Sequence, residues 1–262
     1  MMMLRSLLFV PSKAGMLRKI STLDADAYIL DLEDSIAPDM KPQALKDAPG
    51  FLETCPEQKI YIRLDRAFLA EQIEALKEYR FDGYMLPKFE RPEEFAGFEQ
   101  EFSRRSNIAL VETPMGMVNL KEIAGCSWVK AVAFGAEDYT AAVNMENRAE
   151  YLTGIKSRIV MFAKAFGKCA VDTPFMNLKD DGRLLEEANI SADTGFDGKL
   201  AVHPKQCRVI NEVFMRRNDP EFMREVIRIY DDSGGGAVSI GGKIYEHMHI
   251  ARFRKILEQE EN

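Results

Sequence analysis

Cysteine is scarce in this chain. The four residues, Cys55, Cys126, Cys169 and Cys207, lie far apart and form no CxxC pair. Thiols so placed offer neither a disulfide framework nor a structural zinc site, and they suit a reducing compartment. No apolar run approaches the roughly 18 residues of a membrane span. The opening MMMLRSLLFVPSKAG has an apolar stretch of only about six residues before Pro11, too short for a signal h-region. The expectation is a soluble, cytoplasmic protein with no membrane partner. Clustered basic residues are missing too: 35 Lys and Arg stand against 42 Asp and Glu, a net charge of −7. No stripe would track a phosphate backbone, which argues against nucleic acid. GxSxG is absent, and no Ser-His-Asp or Cys-His set can be assembled from the three histidines.

What the chain has is repetition of a structural kind. Short, branched apolar runs recur at 6–11, 27–33, 59–64, 83–88, 107–113, 128–135, 168–175 and 198–204. They read as continuously apolar, as parallel strands covered on both faces do. Amphipathic stretches such as 66–79, 91–104 and 146–166 alternate with them. Strand and helix in eightfold alternation predict an α/β fold, a (β/α)8 TIM barrel. The rival open doubly wound sheet calls for GxGxxG after the first strand, where the chain has PSKAGML. The barrel is expected over residues 1–215. A C-terminal helix–flap–helix extension over 216–262 follows, packing on the barrel or on a neighbouring subunit, with Gly234–Gly236 marking a mobile hinge or a close backbone approach.

Active sites of such barrels lie at the C-terminal ends of the strands. Those ends carry Pro11–Ser12, Asp31, Glu33 and Asp34, Arg63, Pro87–Lys88, Glu112–Thr113, Glu137–Asp138, Asp172 and His203. Glu112 and Asp138 are one strand–helix unit apart, so they cap adjacent strands about 4.8 Å apart and can reach one ion. Two carboxylates completed by water and substrate oxygens are a usual Mg2+ site. The alternative makes Glu112 a helix cap and Asp138 a solvated loop acid. Arg63 either neutralises the acids or offers its planar fork to a substrate carboxylate or oxyanion. Lys88 balances charge, since acidic neighbours raise its pKa and oppose a Schiff-base role. His203 is either a base or a hydrogen-bonded structural residue. His247 and His249 do not share a helix face. Trp128 and the many Phe and Met residues read as core.

The ordered motifs RSLLFVPS, DAYILDLEDSIAPDMK, YIRL, GYMLPK, LVETPMGMVN, AVAFGAEDY, FDGKLAVHPKQ and GGKI resemble the citrate lyase β-subunit-like group of the HpcH/HpaI aldolase superfamily. The resemblance covers nearly the whole chain. It implies a TIM barrel that binds Mg2+ and makes or breaks a carbon–carbon bond beside a 2-oxo acid, on a thioester of coenzyme A or an acyl carrier protein. Citryl, citramalyl or malyl thioesters would give oxaloacetate, pyruvate or glyoxylate. By motif, Glu112 and Asp138 match the metal ligands and Arg63 the substrate-binding arginine, with Glu112 also against the substrate. Asp31, Glu33, Asp34, Lys88 and Glu137 would support them, and Arg5 would face the thioester carrier. A homo-oligomer, with a trimer as one form, is implied as well. Two motifs depart from the group's pattern. Tyr245 stands where relatives acting on malyl thioesters carry a flap Asp, so either Glu246 takes that role one residue on or the step that needs the Asp is missing, and Ser12 replaces the group's Gly in FVPG. The first departure speaks against thioester hydrolysis. An aldolase for free 4-hydroxy-2-oxo acids and a non-catalytic 2-oxo-acid-binding barrel are the alternatives.

Overall fold

A computed structural model describes residues 4–11, 20–217 and 219–260. Eight strands run in parallel around a closed barrel in chain order, and the last pairs with the first. They are β1 (Ser6–Pro11), β2 (Ala27–Asp31), β3 (Ile60–Arg63), β4 (Gly83–Leu86), β5 (Asn107–Val111), β6 (Val129–Phe134), β7 (Cys169–Asp172) and β8 (Gly198–Ala201).

Strand side chains alternate between two cores, as the period of two requires. Leu7, Ile29, Tyr61, Met85, Ile108, Leu110, Val171 and Leu200 fill the barrel. Leu8, Leu30, Ile62, Leu86, Ala109 and Val132 belong to the second core, which includes the helical side chains. Each fully buried large apolar side chain contributes about 1.5–3 kcal/mol. Because both faces are apolar, the strands read as unbroken hydrophobic runs.

The helices are α1 (Lys41–Thr54), α2 (Leu69–Leu76), α3 (Glu99–Ser103), α4 (Pro114–Val118), α5 (Leu120–Gly125), α6 (Ala136–Ala142), α7 (Ala149–Ala165), α8 (Asp181–Thr194) and α9 (Pro204–Arg217). Two expected helices are interrupted. Residues 66–79 begin as a tight turn at Arg66–Phe68 before α2. Residues 91–104 split at Gly97, whose φ of 93° is left-handed and ends any helix there. Helix α1 had no sequence signal of its own because Pro49 and Gly50 lie inside it; Ala44, Ala48, Phe51 and Leu52 bury its inner face. Trp128 is core as expected, but Met115, Met161, Met176, Met215 and Met248 are exposed, so methionine is not a uniform core marker here.

Helix α9 packs against β1, β8 and α8. Beyond it come α10 (Pro220–Asp232), an antiparallel hairpin of β9 (Val238–Ile240) and β10 (Lys243–Tyr245), and α11 (His247–Glu260). The hairpin turns at Gly241 and Gly242, with φ of 60° and 80°, the left-handed pair that a two-residue loop needs. Met223, Val226, Tyr230, Tyr245, Ile250 and Phe253 form a hydrophobic cluster of this extension's own.

Candidate active site

A cavity of about 420 Å3 opens at the C-terminal ends of the strands, where Asp31, Asp34, Arg63, Glu112, Glu137 and Asp138 line it. Strand parity delivers them. Asp31 lies two residues past Ile29, Arg63 two past Tyr61 and Glu112 two past Leu110, all on the side that faces into the barrel.

Asp31 and Arg63 are register partners on β2 and β3. Arg63 Nε and NH2 donate to the two oxygens of Asp31 at 2.8 and 2.7 Å, and NH1 donates to Asp34 at 3.2 Å. Glu33 lies within 3.2 Å of the same NH1, and Phe9 stacks under the guanidinium, 4.9 Å from ring centre to Cζ. The backbone N–H groups of Glu33 and Ser35 also donate to Asp31, both at 3.0 Å. Burial would raise the Asp31 carboxyl, but Arg63 and these N–H groups outweigh it and hold the pKa below its ordinary value. Burial opposes the Arg63 charge, and the three acids hold it above its ordinary range. For Glu33 burial wins over Lys88 and Arg63, and its pKa is raised.

Lys88 links this group to the far side of the mouth. Its φ of 49° is left-handed, a conformation worth about 1–3 kcal/mol of strain when the surroundings enforce it. There its N–H donates to Glu112 Oε1 at 2.8 Å. Its Nζ donates to Glu33 at 2.8 Å and lies 3.4 Å from Asp138. The paired acids keep Lys88 protonated above its ordinary pKa, against partial burial.

Glu112 is 4% exposed. It is not the cap of the following helix: Thr113 takes that role, its hydroxyl accepting the N–H of Gly116. Burial first, then the charge of Asp138, push the Glu112 carboxyl up to about 8, against the Lys88 N–H. Glu137 and Asp138 sit in the first turn of α6, where the helix dipole favours negative charge. A Cβ at Gly135 would collide with the Glu112 side chain, so only glycine lets β6 pass this close. Thr173 fixes the same turn, its hydroxyl accepting the N–H of Ala136 at 3.1 Å.

Several expected positions fall elsewhere. Asp172 is one residue out of phase with Val171 and Thr173, so it points away from the mouth. It is fully buried and accepts from Lys156 and Lys199 at 3.0 Å each and from the Ser191 hydroxyl. His203 borders a separate cavity of about 150 Å3, and its Nδ1 accepts the Lys205 N–H at 3.2 Å. Arg5 precedes β1 and so lies at the opposite end of the barrel, where Asp26 holds it at 2.7 and 2.8 Å. The mouth is out of its reach. Tyr245 is 5% exposed inside the extension's cluster. Ser12 lies outside the described residues. Gly135, Thr173 and the apolar lining residues other than Pro11 are not singled out by the sequence; strand periodicity carries a signal for the apolar ones.

A closed (β/α)8 barrel whose strand ends converge charged side chains on one cavity defines an α/β-barrel enzyme. The family described as HpcH/HpaI aldolase/citrate lyase matches residues 5–204, and the chain belongs to it, as an enzyme with the lyases of that family. It is 30% identical to a (3S)-malyl-CoA thioesterase of Cereibacter sphaeroides, over 98% of this chain and 94% of the relative. It is also 30% identical to the mitochondrial citramalyl-CoA lyase of Homo sapiens, over 92% and 81%. The structure is similar to that of the protein CitE from Mycobacterium tuberculosis in complex with magnesium, acetoacetate and coenzyme A. The TM-score is 0.78 at 27% identity, covering 98% of each chain. No helix among the described residues is long and apolar enough to cross a membrane.

Proposed function

We propose that this chain is an Mg2+-dependent carbon–carbon lyase that cleaves or forms a 3-hydroxyacyl thioester, giving a 2-oxo acid and an acyl thioester. The observation that carries the reading is Glu112: a buried carboxylate at the cavity wall, pushed up to about 8 by burial and by Asp138. Without a cation such a pair retains a proton on Glu112, which a small divalent cation bound to its hard oxygen donors would displace. Among the described residues no set of three His, Cys, Asp or Glu side chains is placed to hold a metal. Glu112 and Asp138 would therefore hold the ion with water and substrate oxygens completing its shell. Bound there, Mg2+ would chelate the oxo and carboxylate oxygens and stabilise charge on the developing carbonyl.

The chain's own groups would do the rest. A guanidinium has five N–H donors, and Asp31 and Asp34 engage three of those on Arg63. Of the other two, the one on NH1 lies beside Glu33, and the one on NH2 would serve the substrate carboxylate or an adjoining oxyanion. Asp31 and Glu33 would fix the Arg63 fork, and Lys88 would hold Glu112 by its N–H and Asp138 by its ammonium. The reading takes 1–215 as the catalytic barrel and 216–262 as an extension in a homo-oligomer. Thioester hydrolysis is not part of it. The malyl-type flap acid is replaced by Tyr245, which is packed inside the extension.

The test is release of a 2-oxo acid from citramalyl-, malyl- and citryl-CoA with and without Mg2+. Wild type should turn over at least one of them only with the metal, without releasing free thiol. Mg2+-independent turnover would overturn the metal assignment, and free thiol at the rate of oxo-acid release would overturn the exclusion of hydrolysis.

A further inference from the structure

Lys88 is held at more points than a lysine that only balances charge would need. It follows β4 in a left-handed turn, its carbonyl accepting from Arg66 NH1 at 2.7 Å and its N–H donating to Glu112. Its Nζ then lies between two carboxylates, 2.8 Å from Glu33 Oε1 and 3.4 Å from Asp138 Oδ2. These two acids differ. Glu33 is buried, and its Oε2 accepts no hydrogen bond from the described residues, although Arg63 NH1 lies 3.2 Å away. Asp138 stands in the first turn of α6 with 44% of its side chain exposed. On one side of the ammonium is an acid short of a donor, and on the other a proposed metal ligand.

We infer, resting on the divalent-ion reading above, that Lys88 is a positioning residue in competition with the metal. It holds Asp138 until a divalent ion takes that carboxylate, and then withdraws onto Glu33. The two cations share Asp138 only at a cost, because an ammonium and a divalent ion repel each other across a few ångströms. The side chain has somewhere to go. Glu33 already accepts from Nζ, its second oxygen accepts nothing, and its burial strengthens an ion pair relative to one at the half-exposed Asp138. A lysine stem is flexible and its three donors rotate, so the ammonium can shift while the backbone N–H stays on Glu112. Arg63 is not free to do this, since Nε and NH2 are both fixed on Asp31.

Competition and simple support predict opposite signs. A side chain that only keeps Asp138 in place helps the ion bind, so its removal weakens binding. A cation that contends for Asp138 hinders the ion, so its removal strengthens binding. Loss of Lys88 also lets Glu112 keep its proton more firmly, which opposes the ion. The ion carries two charges and the proton one, so deleting a neighbouring positive charge still favours the ion.

The experiment titrates Mg2+ by calorimetry, with pyruvate present, into wild type, Lys88→Met and Lys88→Arg. Methionine keeps an unbranched stem and the backbone N–H and drops the charge, whereas arginine keeps the charge. Lys88→Met should bind Mg2+ about tenfold more tightly than wild type, and Lys88→Arg within about threefold of it. Equal or weaker binding in folded Lys88→Met overturns the inference and leaves the metal reading standing, as does an arginine variant that binds as tightly as the methionine one. No saturable binding in any of the three overturns the metal reading and this inference with it. Thermal unfolding gives a second readout. Without Mg2+, Lys88→Met should melt below wild type, because Glu33 and Asp138 lose their shared cation. Added Mg2+ should then raise its Tm by more than it raises that of wild type, and an equal rise counts against the competition. If Lys88→Met does not fold, Lys88→Gln, whose neutral amide can still donate to Glu33, carries the same prediction.

Discussion

Two clusters of buried charge in this barrel are made from the same parts, and only one of them lines the cavity at the mouth. At the mouth, Asp31 and Glu33 are held by Arg63 and Lys88. Behind β7, Asp172 is held by Lys156 and Lys199, with the Ser191 hydroxyl donating to it as well. Each sits at or just past a strand end, and each combines carboxylate with two cations. The difference is one residue of phase. Asp31 and Arg63 continue the rows that fill the barrel, whereas Asp172 continues the row that meets the helices, from which Lys156 on α7 and Ser191 on α8 reach it. An ionisable strand-end residue is a site candidate only when its parity points inward.

The largest expected effect separates the two clusters. Glu112→Ala should lower Mg2+-dependent turnover by about 1000-fold, since it removes a group through which the cation stabilises the transition state, and it should leave the fold in place. Asp172→Ala should do the reverse. It strands two lysines that are 1% and 0% exposed, and breaking a buried pair this way destabilises by about 3–5 kcal/mol. Thermal unfolding should show that drop, while the rate per folded molecule stays within a few-fold of wild type. Equal losses of activity in the two variants would erase the distinction.

Gly135→Ala comes next. The added methyl displaces Glu112, and a shift of about 1 Å at a reacting centre can cost about 100-fold. Activity should fall that far and Tm should fall with it, because the new methyl meets the Glu112 Cβ as well as its carboxylate. A variant with wild-type rate would mean Glu112 has room that the packing denies it.

The smallest effect is on pH dependence. Glu112 has its pKa raised from an ordinary 4.5 to about 8. The folded chain therefore holds that proton more tightly than the unfolded chain does. Its contribution is full below pH 4.5 and is lost as pH rises through about 8, at up to about 1.4 kcal/mol per unit. For Asp172 burial raises the pKa, but Lys199, Lys156 and Ser191 outweigh it, and the result is lowered from 3.8 to about 2. Its contribution is full above pH 3.8 and is lost as pH falls through about 2, roughly 2 kcal/mol in all. Urea unfolding of the metal-free protein should show an alkaline loss in wild type that is much smaller in Glu112→Gln, Glu33 supplying the remainder. Asp172→Asn should reduce the acid-side loss, leaving the part that Asp31 contributes. An alkaline slope unchanged by Glu112→Gln would assign it to another group.

The strands were legible because parallel strands buried on both faces leave unbroken apolar runs. The acids beyond them were legible because charge at the end of such a run is conspicuous. Strand ends were harder. The run 27–33 ends as a strand at Asp31, and 168–175 ends at Asp172, since pairing stops before hydrophobicity does. The length of the run groups Asp172 with the mouth, although its phase relative to Val171 points outward. Arg5 was placed by motif likeness, and its position before β1 rather than after it carried the contrary signal. The role of Gly135 required knowing that Glu112 lies against it, a contact between neighbouring strands that no local pattern records. That Phe9, Leu200 and Val202 line the cavity was hidden because inward and outward strand residues look alike in a doubly covered barrel.

The central claim, that the mouth carries a divalent-cation site at Glu112 and Asp138 while the Asp172 cluster is structural, comes down to one titration. Mg2+ is titrated by calorimetry, in the presence of pyruvate, into wild type, Glu112→Ala and Asp172→Asn, each checked for folding by circular dichroism. The account predicts saturable binding of one ion in wild type and in Asp172→Asn, and its loss in Glu112→Ala. Undiminished binding in folded Glu112→Ala would contradict it.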